Sequence, residues 1–231
     1  MFLRWFRDFS LFISLVICFF IQRVFSYFKL VDIPDGVRKI HKGNVPLGGG
    51  VALFICASTV FLFFLDNSII SDPLLRNQIL TIWLVSIILL VLGLLDDIKP
   101  LPISLRLIIQ ILASWLVIII SDVYLVELGD LLGLGNIYLG KLGIPVTIFM
   151  VVGMCNAFNM LDGMDGIVTL IASVTLLSMS VLLFYVEQTN IFFLVAACFI
   201  SFLFFNLGWL GRKWKMFLGD SGSMWLGFIV A

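Results

Sequence analysis

Apolar residues in this chain come in runs of about 17 to 20 positions separated by short polar stretches, not in the two-residue alternation of a β-barrel wall. Runs of that length carry a helix across a hydrocarbon layer of about 30 Å. Candidate spans lie at residues 9–28, 48–65, 77–95, 104–121, 142–159, 167–186 and 190–209. An eighth run opens near Gly222 with ten residues left to Ala231, about half a hydrocarbon core at about 1.5 Å per residue. The expected fold is all-α, a polytopic integral membrane helix bundle with seven complete spans plus the start of an eighth. No repeat or linker divides it, so residues 1–231 read as a single membrane domain, incomplete at the C-terminus. Arg4 and Arg7 precede the first run and no small-residue cleavage site follows it, so that run is expected to stay as a helix.

Composition strengthens the membrane assignment. Hydrophobic residues make up 62% of the 231 and charged residues 12%, about half the roughly 25% charged content of a soluble domain. Mean hydropathy is +1.20. Net charge is zero from 14 basic and 14 acidic side chains, which leaves no global field to attract nucleic acid. Cys18, Cys56, Cys155 and Cys198 are scattered singly in apolar runs and read as packing residues. His41 is the single histidine, which excludes a multi-His zinc site.

The position of the charges says more than their sum. The polar gaps alternate between two sides of the bundle. Residues 29–47, 96–103, 160–166 and 210–221 fall on one, and the N-terminus with 66–76, 122–141 and 187–189 on the other. Counting near the span ends, the first side holds ten cations: Arg23, Lys29, Arg38, Lys39, Lys42, Lys99, Arg106, Arg212, Lys213 and Lys215. The second holds four, Arg4, Arg7, Arg76 and Lys141. The positive-inside rule places the first side in the cytoplasm, although Arg4 and Arg7 pull the other way. The Gly-rich gap at 122–141 reads as a small outside hairpin or an interfacial helix.

Acidic residues gather at span ends on the basic side. Asp96 and Asp97 follow the run IWLVSIILLVLGLL directly, a costly place for a charge without a cation, and unfavourable against the negative end of the helix dipole. The plainer alternative is an interfacial pair that ends the helix. In NAFNMLDGMDG, Asn156, Asn159, Asp162 and Asp165 recur every third residue and could line one inward face of a tightening helix end. A pair of Asp-Gly turns explains the two Asp but not the two Asn. In WKMFLGDSGS, Asp220 and Ser221 precede a new span, where either would also serve as an N-cap. Oxygen ligands converging from several elements suit a Mg²⁺ ion bound to a diphosphate.

The first basic-side gap reads DIPDGVRKIHKGNVPLGGG. Arg38, Lys39, His41 and Lys42 lie ahead of Gly48, Gly49 and Gly50, which open the next span and would let an anion approach the backbone. A solvated positive loop has a similar composition. Lys99 and Arg106 flank the Asp pair, either to hold phosphate or to anchor the helix end.

Four segments in order, RKIHKGNVPLGGG, LGLLDD, NAFNMLDGMDG and NLGWLGRKWKMFLGDSGS, resemble the polyprenyl-phosphate N-acetylhexosamine-1-phosphate transferases over roughly residues 28–231. Within that family the wording is most similar to the bacterial N-acetylglucosamine branch. The resemblance implies transfer of N-acetylglucosamine 1-phosphate from UDP-N-acetylglucosamine to undecaprenyl phosphate, releasing UMP, with Mg²⁺ or Mn²⁺ as cofactor. It implies that Asp220 is a metal ligand and that Asp96 and Asp97 are the acidic pair beside the metal and the lipid phosphate. By the same resemblance Asn156, Asn159, Asp162 and Asp165 contact nucleotide and phosphate, Phe217 stacks on uracil, and Arg38, His41 and Gly48 to Gly50 form the first cytoplasmic motif. Asp97 is counted with the metal as well, and Asp96 is the candidate base, though a phosphate monoester with a second pKa of about 6 is already largely dianionic at neutral pH.

The implied setting is the bacterial inner membrane, with the active face cytoplasmic and a homodimer left open. The product would feed O-antigen, enterobacterial common antigen or another envelope polymer. Members of the family carry a further His-containing motif and more spans than this chain, so the 231 residues alone are expected to show little or no activity. Three rivals remain: a phospho-N-acetylmuramoyl-pentapeptide transferase, a non-catalytic truncated membrane protein, and a cation or proton transporter with its carboxylates nearer mid-membrane.

Overall fold

The computed structural model describes residues 2–34, 43–66, 72–130, 133, 135–182 and 189–231. Helices dominate, each growing from one of the apolar runs. They are α1 (Phe2–Tyr27), α2 (Gly49–Asp66), α3 (Pro73–Ile98), α4 (Ile103–Ser121), α5 (Gly143–Leu161), α6 (Ile167–Leu182), α7 (Thr189–Asn206) and α8 (Gly219–Val230). Local chemistry sets several of the ends. Asp72 caps α3 by accepting the Leu74 N–H (3.0 Å), and Pro73 begins the first turn with its φ already helical. Lys99, extended and followed by Pro100, ends it. Asp122 closes α4 in the left-handed region, with φ 53.

Several helices begin or end away from the expected boundary, and two of the differences bear on function. Asp96 and Asp97 lie within the last turn of α3, not beyond it. The eighth helix begins at Gly219, so Asp220 and Ser221 belong to its first turn. Among the described residues, four helices are long and apolar enough to cross a membrane: Ser10–Tyr27, Pro73–Ile98, Ile103–Ser121 and Gly140–Leu161. Gly49–Leu62, Ile167–Leu182 and Phe192–Asn206 are shorter apolar helices. The molecule is a polytopic membrane helical protein.

The short α8 is the centre of the bundle. Helices α3, α5 and α2 pack around it, with α6 also touching it; α4 bridges α3 and α5, α1 packs on α2 and α7, and α6 pairs with α7. Residues 221–228 of α8 are all buried. Its Trp225 meets Phe54, Trp83 and Phe199 in edge-on geometry, with ring centroids 5.7 to 6.1 Å apart. The buried indole N–H donates to Ser86 Oγ at 3.1 Å, which satisfies its polar atom. Neighbouring helices approach α8 through glycine. A Cβ on Gly50 of α2 would fall 2.2 Å from Gly222 N, and one on Gly93 of α3 2.4 Å from Asp220 O. Facing outward, Leu84 and Val91 of α3 and Ile108 and Ile119 of α4 are exposed, as lipid-facing side chains are.

Two small β features complete the fold. Strand β1 (Val31–Asp32) pairs antiparallel with β2 (Val45–Pro46), closing the base of the first basic-side gap. Of the two readings open for 122–141, the hairpin is the one found. Glu127 bridges to Tyr138, and Leu128 N–H donates to Ile137 O at 3.0 Å. All four cysteines are free and buried, as packing residues are.

Candidate active site

The site forms at the end of the bundle where α3 and α5 finish and α2 and α8 start. Asp97, in the last turn of α3, turns both carboxylate oxygens onto the first turn of α8: Oδ1 accepts the Asp220 N–H (2.8 Å) and Oδ2 the Ser221 N–H (3.1 Å). These are orphan amides, since the residue before the helix, Leu218, gives no side-chain cap. Asp97 therefore caps α8 from another helix. Gly219 sits between them at φ +77, and a Cβ there would lie 2.7 Å from Asp97 Oδ2, so both conformation and space call for glycine.

Asp96 points elsewhere. It is buried, and its oxygens accept the Leu101 N–H (2.6 Å) and Arg106 Nη1 (2.6 Å). The guanidinium comes from the first turn of α4, so this ion pair also ties α3 to α4 across the short connection at 99–102. Asp220 lies near the same pair, within the field of both the Asp96 carboxyl and Arg106. Its other partner is Asn159 of α5, whose Nδ2 donates to Asp220 Oδ1 (2.7 Å) and to Ser223 Oγ (3.1 Å).

Asp162 is the C-cap of α5, facing Asp220, Asp97 and Asp165 and taking a hydrogen bond from the Gly219 backbone. Burial first, and then those three carboxylates, push its carboxyl well above the usual carboxylate range; the Gly219 N–H offsets part of the effect. Asp165 lies further out and pairs with Lys215 Nζ at 2.5 Å. That ammonium also stands over the Phe217 ring, 5.0 Å from its centroid.

Asp96, Asp97, Asp162, Asn159 and Asp220 thus come together, with Asp165, Lys215 and Phe217 at the margin. The other candidates have different surroundings. Asn156 donates to Gln110 Oε1 on α4 (2.8 Å) and to Val152 O (2.7 Å), away from the carboxylates. Gly48, Gly49 and Gly50 are buried, and the N–H groups of Gly49 and Gly50 donate to Phe217 O (2.9 Å) and Leu218 O (2.8 Å). A Cβ at Gly49 would meet Phe202 at 2.5 Å, so these glycines allow chain to cross chain where an anion cradle was expected. Lys99 is exposed at the end of α3. Arg38, Lys39, His41 and Lys42 lie outside the described residues.

Among the described residues, no three His, Cys, Asp or Glu side chains form a group that could hold a metal ion unaided. The donor set nevertheless fits a hard divalent cation. Asp162 and Asp220 face one another with Asn159 beside them, and Mg²⁺ is commonly held by one or two carboxylates with water and phosphate oxygens completing its shell. The site is thus suited to a phosphate-bearing ligand that brings the remaining oxygens.

Three features here were not apparent in sequence. Asp97 acts on backbone amides, Arg106 pairs with Asp96 and so ties the end of α3 to α4, and Gln110 reaches Asn156. Only the last left a trace, an amide interrupting LRLIIQILASWLVIII.

Comparison with known proteins gives the family. The chain is 34% identical over 218 residues to the undecaprenyl-phosphate alpha-N-acetylglucosaminyl 1-phosphate transferase of Yersinia pestis, covering 93% of this chain and 57% of that protein. Proteins of the same name from Salmonella typhi (33% over 226 residues, 96% and 59%) and Haemophilus influenzae (31% over 209 residues, 89% and 56%) are also similar. The chain spans a little over half the length of these curated relatives. Residues 79–231, which include every member of the carboxylate cluster, match glycosyl transferase family 4, and the chain belongs to that family.

Proposed function

We propose that this chain is the carboxylate-bearing part of a transferase that moves N-acetylglucosamine 1-phosphate from UDP-N-acetylglucosamine to undecaprenyl phosphate. An oxygen of the lipid phosphate attacks the β-phosphorus of the donor, a new phosphoanhydride bond forms, the bond to the bridging oxygen breaks, and UMP leaves. The observation that carries this reading is the meeting of Asp96, Asp97, Asp162 and Asp220 at one end of the bundle. The names of the relatives supply the acceptor and the transferred group.

Each residue then has a task. Asp220, oriented by Asn159, is assigned to hold Mg²⁺ or Mn²⁺, with Asp162 beside it. The cation would neutralise the diphosphate so that an anionic nucleophile can approach. Asp97 acts through α8 by fixing where that helix starts, and so where Asp220 stands. Asp96 is engaged by Arg106 and the Leu101 N–H, which suits orientation better than proton abstraction, and a lipid phosphate with a second pKa of about 6 does not require a base at neutral pH. Lys215 and Phe217 offer a cation and an aromatic face to the nucleotide. The excess of basic residues on this side supports a cytoplasmic active face in a bacterial inner membrane.

The test measures binding of radiolabelled UDP-N-acetylglucosamine to membranes that hold the protein, with Asp220→Asn as control and a UDP-muramoyl-pentapeptide as competitor. Label that needs Asp220 and resists the competitor supports the reading. Label that persists in the variant, or is displaced by the muramoyl donor, would sink it.

A further inference from the structure

The amide of Gln110 is a costly group to place where it stands. It lies near the middle of α4, is 1% exposed, and its Oε1 accepts Asn156 Nδ2 at 2.8 Å. Among the described residues its own Nε2 finds no partner. A buried donor left unsatisfied inside an apolar helix is a loss that Leu or Met of similar volume would avoid, so packing alone does not account for this residue. Its acceptor is what the structure uses.

The position of the acceptor shows what it controls. Asn156 lies one turn before Asn159 on α5, and Asn159 is the residue that holds Asp220 and Ser223. One turn before Gln110 on α4, Arg106 holds Asp96 of α3. The helix α4 therefore grips both neighbours through side chains four residues apart on one face, at Asp96 on α3 and at Asn156 on α5. Such outer partners orient the residues that touch a cation, and their loss weakens binding without removing a ligand.

We infer that Gln110 is a positioning residue for the site: through Asn156 it sets the rotation of the α5 turn that presents Asn159 to Asp220. Asn156 is then its partner in this role and not a contact to nucleotide. The inference deepens the proposed function and rests on it for the identity of the cation.

The experiment uses the full chain in detergent, with Mn²⁺ titrated by electron paramagnetic resonance and amide hydrogen exchange followed in α5 and α8. Gln110→Met removes the acceptor at constant volume. Gln110→Asn shortens the bridge by one methylene, and adding Asn156→Gln restores its length from the other side. Both single variants should weaken Mn²⁺ by about tenfold, the range found for outer partners of metal ligands. They should also lose exchange protection at the last turn of α5. The double swap should regain both, which a general packing defect would not allow. Wild-type Mn²⁺ affinity in Gln110→Met, or a loss that the swap fails to repair, would overturn the inference. If Mn²⁺ binding is indifferent to Asp220→Asn, the functional reading fails instead. Exchange at the α5 turn then decides the role of Gln110 alone, and unchanged protection in Gln110→Met overturns it.

Discussion

Asp96 and Asp97 are adjacent in the chain, yet the helix turns one toward a guanidinium and the other toward two backbone amides. Each arrangement sets a different cost for removal. Arg106→Met would leave Asp96 buried and unpaired, and breaking such a pair costs about 3–5 kcal/mol. A thermal melt should show that loss, and adding Asp96→Leu should recover most of it. Asp97→Ala strips two amides of their acceptor and should lower stability by about 1–3 kcal/mol in the same assay. Asp162 yields a pH dependence. Its folded carboxyl holds a proton more tightly than the unfolded chain does, so in divalent-free solution stability is fullest below the ordinary Asp value of about 4 and is lost as pH rises through the elevated folded value. Melting temperature should therefore fall from mildly acidic to neutral pH, and Asp162→Asn should flatten that slope. The presence of these residues was readable from sequence as acids at span ends. Their partners were not, because Asp97 meets amides 123 and 124 positions away.

At the scale of elements, sequence reading did well on helices and poorly on why glycines occur where they do. Apolar runs near bilayer length dominate every window, which is why the expected 104–121 became Ile103–Ser121 and 142–159 became Gly143–Leu161. Gly50 looks like an anion-loop residue until the crossing helix is known, and Gly93 is an inconspicuous position in an apolar run. Both prove to be places where α8 comes within backbone contact. Gly50→Ala would push a methyl into the backbone of Gly222, and overpacking of this kind costs about 1–3 kcal/mol. Lowered thermal stability of that variant, compared with Gly153→Ala, where a Cβ would have no neighbour within 4 Å, checks the claim.

For the molecule as a whole, the orientation proposed from its asymmetric cations has a direct test. Because all four native cysteines are buried, single exposed cysteines can report sidedness against a low background. Lys213→Cys should react with a membrane-impermeant maleimide only from the cytoplasmic side, and Glu127→Cys, in the opposite hairpin, only from outside. Bundle topology was legible as far as alternation of gaps could carry it. The packing order was not, since periodicity does not reveal that α8 is the innermost of the described helices. That placement governs how the protein assembles. Synthesis delivers α1 to α7 before residues 219–230, so the earlier helices associate around a space that Trp225 of α8 then fills. The acidic residues that Asp220 joins are thereby kept apart from that partner until α8 emerges, which makes assembly of the carboxylate cluster and docking of α8 one event.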